Sequence, residues 1–155
     1  MTRWIGSWLS GPRAALEPTA DPGEPQRWRG ERLGLPQNGP GSVASLGSRL
    51  AALVVDVVLA ALIAYTFTVP NPPLNWSLVP WFLITASMVS FFGFTPGMLV
   101  LGIRVVRMDG AAMIGPFRAI PRTVMVGVII PAAVWDADGR GLHDKAVGTI
   151  VLRMR

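Results

Sequence analysis

LGSRLAALVVDVVLAALIAYTFT, residues 46–68, decides the fold of this protein, because the stretch is long and apolar enough to cross a membrane. At about 1.5 Å of rise per residue, some twenty helical residues span a hydrocarbon core roughly 30 Å thick. Asp56 lies near the middle of the run. Because a carboxylate at that depth is disfavoured by roughly 2.5–3.5 kcal/mol on insertion scales, it must face protein or trapped water rather than lipid. The stretch therefore predicts a transmembrane helix, helix 1, with an inward-facing acid.

Small side chains predict where helix 1 packs. Its spacing puts four residues on the face of Asp56: Arg49, Ala52, Ala60 and Ala64. A second apolar run, helix 2 at about residues 78–94, has a similar small-residue face of Ala86, Ser90 and Gly93. We expect the two faces to pack on each other, because small residues let helices approach closely.

The composition favours a membrane protein over a soluble one. The 155 residues are 51% hydrophobic and 15% charged, whereas charged residues make up about a quarter of a typical soluble domain. The net charge is +5, and the basic residues flank the apolar runs, which favours lipid head groups over nucleic acid as their partners. The chain has no cysteine, which excludes disulfides and thiolate metal sites.

The sequence allows two interpretations of a third apolar segment, at about residues 117–135. Its uninterrupted run from Thr123 to Trp135 is short for a membrane span and contains Pro131. It is either a tilted span with Arg118 and Arg122 snorkelling to the surface, or a re-entrant helix. Basic residues on both sides of the segment favour the cytoplasm for both chain ends, and so favour re-entry slightly.

The predicted fold is thus an all-α integral membrane protein with two firm transmembrane helices and a third short helix that spans or re-enters. Two β-branched stretches, LGIRVVRMDG (101–110) and AVGTIVLRMR (146–155), predict a small β-pairing at the cytoplasmic face. Residues 45–155 form this membrane domain.

Residues 1–44 are set apart as a Pro/Gly-rich extension with six prolines and seven glycines. Such a segment buries too little apolar surface to offset its ordering entropy. Trp4 and Trp8 lie on one stripe of a short helix, and with Trp28 they predict an interfacial or partner-binding role.

Few residues are candidates for a chemical role. Asp56 either binds a cation or relays a proton, or it fixes the packing by pairing with a basic residue from the C-terminal half. The candidate partners are Arg118, Arg122, His143 and Lys145. Arg49 is two turns from Asp56 and is expected to reach lipid phosphates instead. His143 is the chain's only histidine, so the sequence predicts no metal site, and it predicts no catalytic triad.

Arg49, Asp56, GFTPGMLVLGIRVVRMDG (93–110) and GRGLHDKAVGTIVL (139–152) together resemble the RDD family of bacterial membrane proteins. The resemblance covers roughly residues 44–153, and the Arg-rich composition with a Pro/Gly-rich extension suits an actinobacterial type. The family is named for one Arg and two Asp, which map onto Arg49, Asp56 and Asp144. Ligand or ion transport is suggested for it. The family's Gln and Lys around Thr-Pro-Gly are replaced by Phe94 and Met98, which puts transport in doubt.

Two hypotheses for function follow. The first is a non-catalytic accessory or structural subunit of a larger membrane protein complex. The alternative is a homo-oligomeric transporter or ion exchanger that uses Asp56, because two or three helices are too few to enclose a pathway alone. Both place the chain in the bacterial plasma (inner) membrane as a multi-pass protein with a cytoplasmic N-terminus. In both, its partners are the lipid bilayer and other membrane subunits. Neither needs a cofactor, and an enzyme has little support.

Overall fold

Helices dominate the structure, a computed structural model that describes residues 25–128 and 139–155. The helices are α1 (Leu46–Thr68), α2 (Leu78–Phe92), α3 (Pro96–Leu101), α4 (Pro116–Val128) and α5 (Leu142–Val147). The strands β1 (Ile103–Arg107) and β2 (Thr149–Arg153) form a two-stranded sheet. Short 3-10 turns occupy Glu31–Leu33 and Leu74–Ser77. Trp4 and Trp8, for which an interfacial or partner-binding role was predicted, lie outside the described residues.

Helix α1 has the bounds and the buried face that the sequence predicts. Ser45 caps it, because the Ser45 hydroxyl accepts a hydrogen bond from the Ser48 N–H over 3.2 Å. The buried residues of α1 form the predicted strip: Ala52, Asp56, Ala60 and Ala64. Large apolar side chains cover the opposite face and are exposed. By length and composition, α1 and the continuous helical stretch Leu74–Phe92 are each able to cross a membrane.

Helix α2 ends at Phe92, two residues earlier than predicted, because Gly93 adopts a left-handed conformation and caps it. A Cβ at Gly93 would lie 2.7 Å from the Val105 carbonyl oxygen, so Gly93 packs against β1. The expectation that Gly93 faces α1 is therefore wrong. Ala86 and Ser90 are buried as predicted, together with Trp81, Thr85 and Val89.

The predicted β-pairing is confirmed. Strands β1 and β2 are antiparallel, with Val105 opposite Val151, and both side chains lie in the core. The chain before α1 extends this sheet, since the Ala44 N–H donates to the Val151 carbonyl and the Arg153 N–H donates to the Ser42 carbonyl, each over 2.9 Å. The compact unit thus reaches back into the segment assigned to the extension.

Trp28, predicted to be interfacial, is half-buried within that extension. Its indole N–H donates to the Leu35 carbonyl oxygen over 2.9 Å.

The third apolar segment is helical over α4, and its remainder, residues 129–135, lies outside the described residues. Helix α4 runs antiparallel to α2: the Gly115 N–H before it donates to the Ser90 carbonyl over 3.1 Å, and Gly127 near its end lies against Trp81. Thirteen residues rise only about 20 Å. Where the description resumes, Gly139 lies beside the side chains of Arg29 and Val43, next to the sheet.

Candidate functional site

Asp56 is buried in α1 and is held by the start of α3. The Thr95 hydroxyl donates to its Oδ2 over 2.5 Å, and the Gly97 N–H donates to its Oδ1 over 2.7 Å. Thr95 is also the N-cap of α3, because its hydroxyl oxygen accepts from the Met98 N–H over 3.2 Å. The carboxylate therefore faces backbone and hydroxyl donors at the positive end of a helix, where a negative charge is stabilised.

This arrangement corrects the expected partner of Asp56. None of the candidates Arg118, Arg122, His143 and Lys145 is hydrogen-bonded to it; Thr95 and Gly97 supply the donors instead. The sequence signal was present, since Thr at an N-cap followed by Pro at the first helical position is typical of a helix start. The stretch was interpreted only as the end of helix 2, so α3 and its donors were missed.

Gly97 also explains why α3 approaches α1 so closely. A Cβ at Gly97 would lie 2.1 Å from the carbonyl oxygen of Ala52 and 3.0 Å from Oδ1 of Asp56. Ala52 itself is buried. Near Ala52 and Asp56, the small-residue strip of α1 thus receives the backbone of α3, which the sequence did not predict; α1 also packs against α2, as the sequence predicted.

Asp144 is the centre of a second, charged cluster. Nη1 of Arg49 donates to its Oδ2 over 3.0 Å, and Nε of Arg122 donates to its Oδ1 over 2.9 Å. Thr149 adds a hydroxyl 3.3 Å from Oδ1, and Nε2 of His143 lies 3.5 Å from Oδ2. The cluster joins α1, α4, α5 and β2 through one carboxylate.

The expectation that Arg49 reaches lipid phosphates is therefore wrong. Arg49 and Arg122 are both largely buried and form salt bridges with Asp144, so the alternative in which Arg122 snorkels does not hold. The distance from Arg49 to Asp56 along α1 was judged correctly, but the tertiary partner 95 positions later was not visible from local spacing. Arg118 instead donates to the Val147 carbonyl oxygen over 2.9 Å, at the end of α5.

The charge state of Asp144 follows from its neighbours. Burial by itself raises the pKa of this carboxyl, but the positive charges of Arg122, His143 and Arg49 outweigh burial and hold the pKa below its usual value. Asp144 is therefore an ionised carboxylate at neutral pH. Two guanidiniums on one carboxylate satisfy it, and removal of a partner would leave a buried charge uncompensated.

Of the predicted site residues, Arg49, Asp144 and His143 come together, and Lys145 does not, because its side chain is exposed on α5. Asp56 is near them without bonding to them. A cavity of about 80 Å³ is lined by polar groups of both sites: Arg49, Asp56, Thr95, Arg122 and His143. The described residues contain no group of three or more His, Asp or Glu able to hold a metal ion, and no metal was predicted.

Comparison with known families identifies part of this architecture. The model described as the RDD family, a membrane-associated domain family, matches residues 73–148. The matched residues begin just before α2 and include Asp144, whereas Arg49 and Asp56 of α1 precede them. No curated protein and no solved structure matches the chain.

Proposed function

The chain belongs to the RDD family through residues 73–148, and on that premise we propose that it is a non-catalytic multi-pass membrane protein that serves as an accessory or structural subunit of a larger membrane protein complex. One observation carries the proposal: both buried carboxylates among residues 25–128 and 139–155 are satisfied by partners within the chain. Asp56 binds Thr95 and Gly97, and Asp144 binds Arg49 and Arg122. These acids hold helices together, which is a structural role.

The outer surface supports the membrane part of the proposal. Val54, Leu62 and Leu83 each expose about 60% of their surface along α1 and α2. In water such faces would be an aggregation hazard, whereas lipid or the helices of a partner subunit would cover them. The face is therefore suited to a bilayer and to packing against other membrane subunits.

The charge distribution supports an orientation. Basic residues follow the sheet end of the helices: Arg104, Arg107, Arg118, Lys145, Arg153 and Arg155. The loop between α1 and α2, residues 69–77, carries no charge. By the positive-inside effect we assign the sheet end and the N-terminus to the cytoplasm of a bacterial cell, in its inner membrane. Because Gly115 and Gly139 both lie at the sheet end, we propose that the segment between them re-enters rather than spans.

Purification tests the subunit proposal. The tagged chain is extracted from its native membrane in a mild detergent, and the mass and composition of the purified particle are measured. We expect a stoichiometric set of other membrane proteins that is absent when an unrelated tagged membrane protein is purified in the same way. Recovery of the chain alone, as a monomer or homo-oligomer, would contradict the proposal.

A flux measurement tests the transport alternative, which is suggested by the small cavity beside Asp56. The purified chain is reconstituted into vesicles, and the flux of Na⁺, K⁺ and H⁺ is compared with that of Asp56→Asn. On our proposal neither protein supports flux above that of empty vesicles. Flux that Asp56→Asn abolishes would replace the subunit proposal with a transporter.

A further inference from the structure

We propose that a pocket at the sheet end of the molecule, between α3 and the two strands, binds the head group of an anionic phospholipid. The pocket has a volume of about 280 Å³, and seven residues line it: Phe94, Leu99, Gly102, Ile103, Arg104, Met154 and Arg155. It combines two guanidiniums with an apolar wall, which is the chemistry of a phosphate attached to an acyl chain. The inference rests on the proposed membrane location, and it adds a specific lipid to it.

Arg104 has an N–H donor that is available to bind an anion. Its Nε is buried and has no hydrogen-bond partner among the described residues. Its side chain lies over Gly93, at the carboxyl end of α2, where a positive charge is favourable but where no bond forms to a carbonyl oxygen in the described part of the chain. A buried donor without a partner is unfavourable, because it has lost its hydrogen bonds to water. A phosphate oxygen in the pocket would remove that cost.

Arg155 is placed to share the same anion. Its Nη2 donates to the Val100 carbonyl oxygen over 3.0 Å, which fixes the side chain beside Gly102 at the end of α3. Over residues 25–128 and 139–155, no carboxylate forms a salt bridge with Arg104 or Arg155; the ion pairs there involve Asp109 and Asp144. The pocket thus carries two guanidiniums that pair with no side-chain carboxylate of the described residues.

The apolar wall selects a lipid over free phosphate. Leu99 exposes 58% of its surface and Met154 exposes 52%, and Phe94 lies beside them at the pocket. These side chains continue the exposed apolar surface of α2, where Phe91 and Phe92 are also exposed. An acyl chain that lies along α2 would therefore bring its own phosphate to Arg104 and Arg155, at the level where apolar surface gives way to basic residues.

The test uses the purified full chain and native mass spectrometry with dioleoylphosphatidylglycerol and dioleoylphosphatidylcholine. We expect one phosphatidylglycerol to be retained in preference to phosphatidylcholine. The double variant Arg104→Gln/Arg155→Gln should bind phosphatidylglycerol roughly thirtyfold more weakly, since each of the two basic contacts near a lipid surface contributes about 1 kcal/mol and about 1.4 kcal/mol is a factor of ten. Arg107→Gln/Arg153→Gln is the matched control, because it removes the same charge from the same end of the molecule outside the pocket, and it should keep the site.

Two further measurements separate the sources of the anion. Leu99→Gln leaves both arginines in place and should still weaken phosphatidylglycerol retention, whereas glycerol 3-phosphate without acyl chains should not displace the lipid. Equal losses in the two double variants, or displacement by the free phosphate ester, would overturn the proposal. The purification described above reports on the subunit proposal independently, since partners can be recovered whether or not this lipid binds.

Discussion

At the scale of single residues, the buried acids Asp56 and Asp144 are stabilised by different means. Asp56 in α1 receives two neutral donors, a hydroxyl and a backbone N–H, at the start of another helix. Asp144 in α5 receives two guanidiniums and is fully buried. In each case a carboxylate connects segments that are distant in sequence, so loss of either acid should weaken the packing before it affects any chemistry.

A substitution at Thr95 tests the connection that Asp56 makes between α1 and the start of α3. Thr95→Val keeps the shape of the side chain but removes the donor to Asp56 and the acceptor for the Met98 N–H. We expect a loss of about 2–4 kcal/mol in the free energy of unfolding, because a capping interaction and a hydrogen bond to a charged group each contribute about 1–2 kcal/mol. Chemical unfolding in detergent, followed by circular dichroism, measures it.

Thr66→Val is the matched control for Thr95→Val. The Thr66 hydroxyl bonds only to the Ile63 carbonyl oxygen on the exposed side of α1. Its replacement should change the free energy of unfolding by less than about 0.5 kcal/mol. Similar losses in the two variants would show that Thr95 has no special connection to Asp56.

Because Asp144 is buried and ionised, the stability of the folded protein should depend on pH. Its pKa in the folded protein lies below that of the unfolded chain, so the ion pairs contribute stability above the unfolded value, about 3.9, and the contribution is lost as the pH falls through the folded pKa. Asp144→Asn should therefore be less stable than the parent by about 3–5 kcal/mol at neutral pH. The difference should stay constant down to about pH 5 and shrink below about pH 4. Thermal unfolding across this pH range measures both values.

The exposed Asp109 provides the control for that experiment, because it also pairs with an arginine, Arg107, but on the surface. Asp109→Asn should leave the unfolding midpoint close to that of the parent at every pH. A difference between Asp144→Asn and the parent that persisted unchanged at the lowest pH would contradict an ionised Asp144.

The sequence predicted which residues are buried better than it predicted their partners. The strip of Ala52, Asp56 and Ala60 follows from helical periodicity alone, and the structure confirms it. The pairing of Arg49 with Asp144 joins residues 95 positions apart, and no local pattern encodes that contact. The sequence therefore predicted that Arg49 reaches lipid phosphates, where isolated arginines near helix ends are ordinarily found, and it offered Arg122 as a snorkelling side chain or as a partner of Asp56.

At the scale of elements, α3 is the feature that the sequence reading missed. Its six residues are too few for helical periodicity to stand out. Strands β1 and β2 were found because β-branched residues cluster in both. Helix α4 was predicted only as part of a longer apolar run. The length of that run does not decide whether the segment re-enters or crosses the membrane.

Gly97 tests the contact between α3 and α1. Gly97→Ala would place a methyl group 2.1 Å from the Ala52 carbonyl oxygen, so the two helices must separate. We expect a loss of about 1–3 kcal/mol or more, because backbone cannot yield as a flexible side chain does. The free energy of unfolding in detergent measures this loss.

Gly47→Ala is the control at the start of α1, where a Cβ meets nothing within 4 Å. Alanine is a better helix former than glycine there, so this variant should gain about 0.5–1 kcal/mol. A lower free energy of unfolding in Gly97→Ala and a higher one in Gly47→Ala would show that the loss in Gly97→Ala arises at the contact between α3 and α1. A neutral Gly97→Ala would show that α3 does not depend on close approach to α1.

At the scale of the whole molecule, the sheet and the loop between α1 and α2 lie at opposite ends of α1. Residue 44 pairs with β2 immediately before α1 begins, and the turn Leu74–Ser77 follows its far end. If α1 crosses a bilayer, these two ends are in different compartments. The same geometry requires the sheet, α5 and the residues on both sides of the third segment to share one compartment.

Single cysteines test this arrangement, because the natural chain has none. We expect Asn71→Cys, in the loop after α1, to react with a membrane-impermeant maleimide in intact spheroplasts. Met154→Cys, just after β2, should react only after the membrane is permeabilised, since the basic residues near it favour the cytoplasm. Ala146→Cys, exposed on α5, should behave like Met154→Cys if the segment between α4 and α5 re-enters. Labelling of Ala146→Cys and Met154→Cys from outside, with Asn71→Cys protected, would instead mean that the molecule has the opposite orientation, whereas labelling of all three from outside would contradict the pairing of β2 with β1.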